Sequence, residues 1–470
     1  MNSHIRDQFI VFFLLFSLAL DSFGQYTSHS KPNIFIYIAD DQNSWDYVTF
    51  GNTQVKTTNF DRLVNEGLSF SNAYTSQAIC APSRSQLFTG LFPMKNGCFA
   101  NHLPVRNVKD INDYMTELGY DVVLAGKGHI QPNSVFNWTR YFSTNSDRLI
   151  PLNKVEDYIT STSKPVCIIF SSDLPHGPYP KSSDYNNKPL DYDPSSKTIS
   201  SKIGNHKAGY YQNIEDDNDQ LGRVLNMLET VSDLDESVFI YISDHGLKGK
   251  WSVRETGLKI PIVFRWPNVI PPNTTNHKLV SIVDILPTII EISGGEKIEN
   301  LDGKSLVPIL SNTNVSFRDY IFGIATRQNI QKCYVFPSRS VRDKRYKYVV
   351  NFNSKELVQD NLGPNNHINY FIERGANQFS DVPFEELYDL EVDPYEHVNL
   401  AKDESLLAKK KKLSAVLRDW MINQNDILIQ YKMPLIKPTL HPLDRSSKWN
   451  NPKKESEFTL SSTDYIPSHY

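Results

Sequence analysis

Short runs of apolar residues alternate with longer amphipathic stretches over roughly the first 300 residues of the chain. The apolar runs predict buried strands, and the amphipathic stretches predict helices. Alternation of this kind predicts an α/β fold with a large, mostly parallel sheet sandwiched by helices. We expect strands at Asn33–Ile38, Asp121–Ala125, Val166–Ser171, Val238–Ser243 and Ile260–Phe264, and helices at Asn59–Gly67, Lys109–Leu118, Tyr210–Thr230 and Val283–Ser293.

The pattern changes between Leu310 and Arg342, after which Asn, Lys and charged residues become more frequent. A strand at Lys347–Phe352 and an amphipathic helix from Glu404 to Gln424 predict a smaller C-terminal α+β subdomain. We therefore expect a signal peptide over residues 1–24, a large α/β domain over 25–340, the subdomain over 341–430 and a polar C-terminal extension over 431–470.

The N-terminus has the pattern of a secretory signal. A polar start is followed by an apolar run from Phe9 to Leu20 and by the small residues Ser22 and Gly24. The run is too short for a membrane span, which needs about 20 residues. The alternative is a buried N-terminal helix. No cysteine follows the cleavage region, so we expect an exported protein without a lipid or membrane anchor, periplasmic or else secreted.

Composition excludes some classes of function. The formal net charge of −4 argues against a generally basic nucleic-acid binder, and we expect no nucleic-acid partner. Four cysteines are too few for a disulfide scaffold. A local basic pocket for an anionic substrate stays compatible with both observations.

Polar side chains follow four of the predicted strands, where each strand ends. They are Asp40-Asp41, Lys127-Gly128-His129, Asp173-Leu-Pro-His176 and Asp244-His245. Because ligands of open α/β sheets bind outside the carboxyl ends of the strands, four such ends together predict a single polar site. Asp40, Asp41 and Asp244 would repel one another without a cation, and their oxygens favour calcium or magnesium over zinc. His245 is a softer ligand.

The segment Ile79-Cys80-Ala-Pro-Ser-Arg84 predicts an anion site. Pro82 and Ser83 suit the first positions of a helix, which places Cys80 just before a helix N-terminus. That end binds anions, and Arg84 adds a guanidinium one turn further on. The alternatives for Cys80 are an inert buried thiol and a disulfide to Cys98.

Cys80-Ala-Pro-Ser-Arg84 with Thr89-Gly90 resembles the maturation motif of the type I, formylglycine-dependent sulfatases of the alkaline-phosphatase-like superfamily. The resemblance covers roughly residues 30–425 and includes the strand-end motifs and Glu386-Leu-Tyr-Asp389. Residues 97–102 and 127–129 are most similar to heparan N-sulfatases and related polysaccharide sulfatases.

The resemblance implies an enzyme that hydrolyses sulfate esters on a sulfated polysaccharide or its oligosaccharides. A formylglycine-generating maturation enzyme would convert Cys80 to formylglycine during export. A hydroxyl of the hydrated aldehyde would then attack sulfur beside one bound calcium ion. The implied metal ligands are Asp40, Asp41, Asp244 and His245 with the modified Cys80. His245 departs from the family, in which Asn is commoner.

The same resemblance assigns roles to residues around Cys80. Arg84 would orient the nucleophile, Lys127 would contact the sulfate, His129 would deprotonate the nucleophile, and His176 would protonate the leaving oxygen or bind sulfate. A further sulfate-contacting lysine is assigned to Lys250, with Lys248 and Lys259 as alternatives. We name three residues as candidate sugar contacts: His102, Arg106 and Arg327.

Three competing functions stay open at the level of the sequence. An N-sulfamate could replace the sulfate ester as substrate. A phosphodiesterase or phosphonate hydrolase would share the fold, although the second acidic and histidine cluster of two-zinc phosphatases is not found in the sequence. A non-catalytic glycan-binding relative would be expected to lose Cys80 or a metal-binding aspartate, and this chain retains both.

Overall fold

The computed structural model describes residues 31–101, 103–188, 190–196, 205–232, 234–311, 314–325, 338–352, 383–430, 432–434 and 465–467. The predicted signal peptide, His102 and Arg327 lie outside these residues. In the part of the chain that is described, no helix combines the length and apolar character needed to cross a membrane.

The large sheet contains eight strands in the order β4-β3-β5-β1-β6-β7-β2-β8. Every neighbouring pair is parallel except the two pairs made by β7, which is antiparallel to β6 and to β2. The strands are β1 Ile34–Asp40, β2 Leu68–Tyr74, β3 Asp121–Gly126, β4 Arg140–Phe142, β5 Val166–Pro175, β6 Val238–Ser243, β7 Ile262–Arg265 and β8 Thr274–Ser281.

Helices cover both faces of this sheet, as the strand sequences require. All seven residues of β1 are buried, with Ile36 packing into one hydrophobic cluster and Phe35 into the cluster on the other face. Continuous apolar strands of this kind are typical of parallel sheets buried on both sides. The helices are α1 Thr58–Glu66, α2 Cys80–Thr89, α3 Pro93–Asn96, α4 Ile111–Glu117, α5 Leu152–Ser161, α6 Asn205–Val231, α7 Glu255–Leu258, α8 Ile285–Ile292, α9 Val307–Leu310 and α10 Leu407–Asn423.

A second, antiparallel sheet of four strands forms the C-terminal part, in the order β12-β11-β10-β9. Its strands are β9 Ile321–Ala325, β10 Ser338–Arg342, β11 Tyr346–Asn351 and β12 Glu385–Asp389. Helix α10 packs on this sheet through Leu413, Leu417 and Trp420. The predicted fold class is therefore confirmed. The sheet draws on both sides of the domain boundary predicted at residue 340, and that boundary stays a prediction.

The four central strands bring the predicted site together. β3, β5, β1 and β6 are consecutive and parallel, so their carboxyl ends lie at one edge. Asp40 pairs with Pro175 and Ala39 with Ser243, which aligns these ends. Strand β5 runs four residues beyond its predicted end at Ser171, to Pro175, and so carries Asp173 to the same edge.

Candidate active site

Cys80 lies at the centre of the polar edge. Its Sγ is 3.4 Å from Nε2 of His245, 3.6 Å from Nζ of Lys250 and 3.8 Å from Oδ1 of Asp41. The side chain is 1% exposed. Burial raises the pKa of the Cys80 thiol well above its ordinary value, and the neighbouring carboxylates Asp40 and Asp41 raise it further. The thiol of the unmodified chain is therefore protonated.

The helix that carries Cys80 begins slightly earlier than predicted. Cys80 is the first residue of α2, so the prediction that it lies just before the helix was wrong by one position. Pro82 is the third helical residue, which is tolerated because the first-turn N–H groups have no intrahelical acceptor. Oδ1 of Asn101 accepts from Ala81 N at 3.0 Å and so caps one of these groups.

Cys80 forms no disulfide with the other described cysteines. Cys80, Cys98 and Cys167 are all free thiols in the described structure, so the disulfide to Cys98 is not formed. Sγ of Cys98 instead contacts the carbonyl oxygen of Ala100 at 3.8 Å. The Cys80 side chain is thus available to the polar cluster.

Three buried carboxylates surround Cys80. Asp40, Asp41 and Asp244 are each at most 2% exposed. Ligand atoms of Asp40, Cys80 and Asp244 lie within 4.8 Å of one another, and so do those of Asp41, Cys80 and His245. Asp41 has a φ of 66°, a left-handed conformation that costs energy for a residue other than glycine. That conformation accompanies a sharp turn of the backbone directly after β1.

His245 faces this cluster through one ring nitrogen. Its Nε2 lies 3.1 Å from Oδ1 of Asp41 and 3.4 Å from Sγ of Cys80, while its Nδ1 lies 3.2 Å from the carbonyl oxygen of Gly246. The backbone carbonyl fixes the orientation of the ring, so Nε2 is the ring atom placed to serve as a metal ligand.

Three cations balance the three carboxylates. Arg84 Nε donates to Oδ2 of Asp244 at 3.2 Å, and Lys250 Nζ donates to Oδ2 of Asp41 at 2.7 Å. Lys127 Nζ donates to Asp40. Although burial opposes it, Lys127 and Arg84 hold the pKa of Asp40 well below its ordinary value. Burial and the charge of Asp40 instead raise the pKa of Asp244.

The donor set fits a hard divalent cation. Oδ1 of Asp40 is buried and has no hydrogen-bond partner among the described residues, and Nη2 of Arg84 is 3.6 Å away from it. An ionised oxygen without a partner in the interior is costly, and a metal ion would remove that cost. Carboxylate oxygens in such number suit calcium or magnesium, the two ions that the acidic residues of the sequence favoured.

Asp173, which the sequence places at the predicted polar edge without a specific role, and Arg148, which no motif indicated, both belong to the site. Asp173 Oδ1 is 3.3 Å from Lys127 Nζ, and the carboxylate lies close to Asp40 and His176. Arg148 holds the segment that contains Asp173 and His176. Its Nε donates to Oδ2 of Asp173 at 2.7 Å, and its Nη2 donates to the carbonyl oxygen of His176, also at 2.7 Å.

His176 stands at the mouth of the site. Its side chain is 36% exposed, and Nε2 is 3.7 Å from Oδ2 of Asp41. Nδ1 contacts the carbonyl oxygen of Gly177 at 2.6 Å, which fixes the orientation of the ring. Nε2 is therefore the ring nitrogen that faces the cluster.

The other residues predicted for the site do not all lie near Cys80. Of the three candidate lysines, only Lys250 contacts the Cys80 cluster, since Lys248 binds Asp193 and Lys259 lines a separate cavity. His129 follows Lys127 by two residues and has a φ of 47°. Arg106 donates to the carbonyl oxygens of Met94 and Lys95 and so fastens α3, while its role as a sugar contact stays a prediction.

Replacing Arg148 with methionine is expected to lower kcat about 10- to 100-fold with a smaller change in KM. Several hydrogen bonds that fix the Asp173 and His176 segment would be lost, and a misplaced catalytic group costs rate. Steady-state kinetics on a soluble sulfate ester measure both constants. Arg140→Met, at the exposed start of β4, is the matched control and should be unchanged. An Arg148→Met enzyme with wild-type kcat would show that the hydrogen bonds made by Arg148 have no catalytic importance.

Comparison with solved structures finds proteins that share this fold. A protein solved in complex with its substrate D-glucosamine-2-N,6-O-disulfate superposes with a TM-score of 0.66 at 18% identity, covering 85% of this chain and 99% of that chain. The phosphonate monoester hydrolase of Agrobacterium radiobacter gives a TM-score of 0.65 at 20% identity, covering 85% and 97%. At these identities the similarity shows the fold alone.

The sequence comparison is more specific. Residues 32–295 match the sulfatase family model, and residues 243–381 match the model described as N-sulphoglucosamine sulphohydrolase, C-terminal. Over 452 residues the chain is 44% identical to an ulvan-active sulfatase of Formosa agariphila, covering 93% of this chain and 90% of that protein. The chain therefore belongs to the sulfatase family and is a sulfuric ester hydrolase. The family resemblance inferred from the Cys80 motif is confirmed.

Proposed function

We propose that this sulfatase removes sulfate from a sulfated polysaccharide or its oligosaccharides, using a formylglycine made from Cys80 and one calcium ion. The observation that carries the proposal is the position of Cys80, within 4 Å of Asp41, His245 and Lys250 at the carboxyl edge of the sheet. Nucleophile, acidic cluster and cations thus meet at one point.

One hydroxyl of the hydrated formylglycine aldehyde would attack sulfur and break the bond to the sugar oxygen, and loss of a proton from the second hydroxyl would then release sulfate and restore the aldehyde. Calcium would supply positive charge for the sulfate. Asp40, Asp41, Asp244 and His245 are the residues that would hold the ion. The alternative substrates, an N-sulfamate or a phosphodiester or phosphonate, are not favoured, because the relative that is 44% identical carries the name ulvan-active sulfatase.

The chain's own cations fit a sulfate ester. Although burial opposes it, Asp40 raises the pKa of Lys127, and Asp41 raises the pKa of Lys250, so both lysines are protonated at neutral pH. The two ammonium groups approach the cluster from the segments that follow β3 and β6 and can hold separate sulfate oxygens. Arg84, fully buried against Asp244, would fix the orientation of the nucleophile.

Two histidines are available to move protons. His176, half-exposed at the mouth, would donate a proton to the leaving sugar oxygen or hold the sulfate. His129, next to Lys127 along the chain, would take the proton from the nucleophile's second hydroxyl. General acid and base groups of this kind act when they lie within hydrogen-bond reach of the reacting oxygens.

The proposed substrate is ulvan or a similar sulfated algal glycan. Two relatives of this chain, at 44% and 24% identity, carry the name ulvan-active sulfatase. We further propose that the protein is exported, to the periplasm or outside the cell, and that a formylglycine-generating enzyme matures it on the way. The N-terminal signal pattern supports export, and the Cys80 motif supports maturation.

The experiment that tests this proposal is sulfate release from a glycan panel. The enzyme, co-expressed with a maturation enzyme, is incubated with oligosaccharides of ulvan, heparan, N-sulfated heparan and chondroitin, and inorganic sulfate is measured. We expect release from ulvan oligosaccharides. Release only from N-sulfated heparan would overturn the choice of substrate, and turnover only of a phosphonate or phosphodiester would overturn the reaction class.

Lys250→Met is expected to lower the rate of sulfate release about 10²- to 10³-fold, because a cation facing the developing negative charge is lost. Lys248→Met is the matched control, since Lys248 lies two residues away and binds Asp193 at the surface. Initial rates with saturating ulvan oligosaccharide measure both variants. Equal rates for the two variants would contradict the assignment of Lys250.

A further inference from the structure

A cavity of about 560 Å³ lies where the large sheet meets the four-stranded sheet. Trp45 lines it from the segment after β1, Lys259 from the segment before β7, and Tyr395 from the segment after β12. No residue of the cluster around Cys80 lines it. It is therefore a second concave site, within the usual size range of ligand pockets.

The lining of this cavity carries an excess of positive charge. Four basic side chains line it, Lys259, Arg342, Lys344 and Arg345, against the two carboxylates of Glu255 and Glu391. Both carboxylates are already paired at the cavity wall, Glu255 with Arg342 at 2.9 Å and Glu391 with Arg345 at 3.1 Å. Lys259 and Lys344 are left without an ion-pair partner among the described residues.

Lys259 is the residue whose position most needs explaining. Its side chain is partly buried, yet its ammonium makes no hydrogen bond and lies within ion-pair distance of no carboxylate among the residues that the structure describes. The charge of Glu255 attracts it from further away, while the Glu255 carboxylate accepts hydrogen bonds from Lys347 at 3.1 Å and from Tyr74 at 2.9 Å. Burial lowers the pKa of Lys259, and a bound anion would offset the cost of holding this charge in the interior.

Aromatic rings complete the cavity. Trp45 and Tyr395 meet edge to face with ring centroids 5.7 Å apart, and both line the wall together with Phe50. Rings beside unpaired cations suit a ligand that has both an apolar face and an anionic group. A pyranose ring bearing a carboxylate or a sulfate has these two features, whereas an inorganic anion has only the second.

We propose that this cavity binds an acidic sugar unit, with Lys259 and Lys344 holding its carboxylate or sulfate and with Trp45 and Tyr395 covering its ring. The anion-binding part of the inference rests on the cavity alone. The choice of a sugar rests on the proposed function, because the glycans on which a sulfatase acts are chains of such units. The site would hold the sugar without cleaving it, since it contains no group equivalent to Cys80 among its lining residues.

Isothermal titration calorimetry of the full-length protein tests this inference, with sodium glucuronate as the probe and glucose and inorganic sulfate as comparisons. We expect glucuronate to bind and Lys259→Met to weaken binding about tenfold or more, since a charged hydrogen bond is lost. Lys344→Met, an exposed substitution with little risk to folding, should weaken it less, and Lys259→Arg should retain it. Lys250→Met, which alters the Cys80 cluster, should leave glucuronate binding unchanged.

Each other result counts against the inference. Loss of glucuronate binding in Lys250→Met, but not in Lys259→Met or Lys344→Met, would place the sugar at the Cys80 cluster. Inorganic sulfate binding as tightly as glucuronate would leave only a free-anion site, and absence of glucuronate binding to the folded wild type would overturn the inference entirely. Sulfate release from ulvan oligosaccharides, measured on the same preparations, shows separately whether the proposed function holds.

Discussion

Replacing Cys80 with alanine is expected to lower sulfate release by at least about 10⁴-fold while the protein stays folded. The substitution removes the atom from which the proposed nucleophile is made. Alanine is the best helix former and fits the first position of α2, and the lost Sγ contacts are all 3.4 Å or longer. Initial rates of sulfate release measure the loss, and circular dichroism with thermal unfolding checks the fold.

Cys98→Ala is the matched control for this experiment. Cys98 is also a fully buried thiol, but its polar contacts are with the carbonyl oxygen of Ala100 and the side chain of Ser85 rather than with the acidic cluster. The variant should keep its activity and lose some stability, because a buried sulfur leaves a small void. Full activity in Cys80→Ala would show that the formylglycine hypothesis is wrong.

Asp40→Asn is expected to lower activity on the order of 10²- to 10³-fold and to weaken calcium binding in parallel. The amide has the size of the carboxylate but lacks its charge, so one metal ligand is impaired and Lys127 and Arg84 lose a buried counter-charge. Rates measured against calcium concentration separate the two effects. Added calcium should restore part of the lost activity.

Asp235→Asn controls for the loss of one negative charge from the protein. Asp235 is 73% exposed and pairs with Arg265 at the surface, so this variant should match the wild type in rate and in calcium response. If Asp40→Asn also matched the wild type in both, the acidic cluster would not be the metal site.

The strands that position the site could be predicted because their sequences are apolar on both faces. β1, β3, β5 and β6 were all predicted within a few residues, and the polar residues that follow them identified the edge of the sheet. Strand β5 was predicted too short, because its continuation through Asp173 to Pro175 contains a charge and a proline. The partners that bury this continuation are known only from the fold.

Other strands were missed because distant residues bury their polar side chains. Strand β10 contains two arginines within five residues, a pattern typical of an exposed loop. Arg339 is nevertheless fully buried against Asp426, and Arg342 pairs with Glu255. These partners lie 87 residues away along the chain in both cases, so no local pattern could indicate them.

Because only local patterns can be recognised in a sequence, the site residues that the sequence indicated are those that stand in short motifs. Lys127, His176 and Lys250 stand in short motifs next to predicted elements, and the resemblance to the family gave them roles. Arg148 stands in a loop without a motif, and only the fold brings its guanidinium to the backbone carbonyls of Asp173 and His176. The sequence did indicate Asp173, because it comes shortly after the apolar run that ends at Ser171, as the other acids follow their own apolar runs.

The most direct test of the central claim compares the fraction of Cys80 converted to formylglycine with the rate of sulfate release. Enzyme is prepared with several levels of the maturation enzyme, conversion is measured by mass spectrometry of the peptide that contains Cys80, and release is measured with ulvan oligosaccharides. The account predicts a rate proportional to the converted fraction and a rate near zero without conversion. A full rate from unconverted enzyme would contradict it.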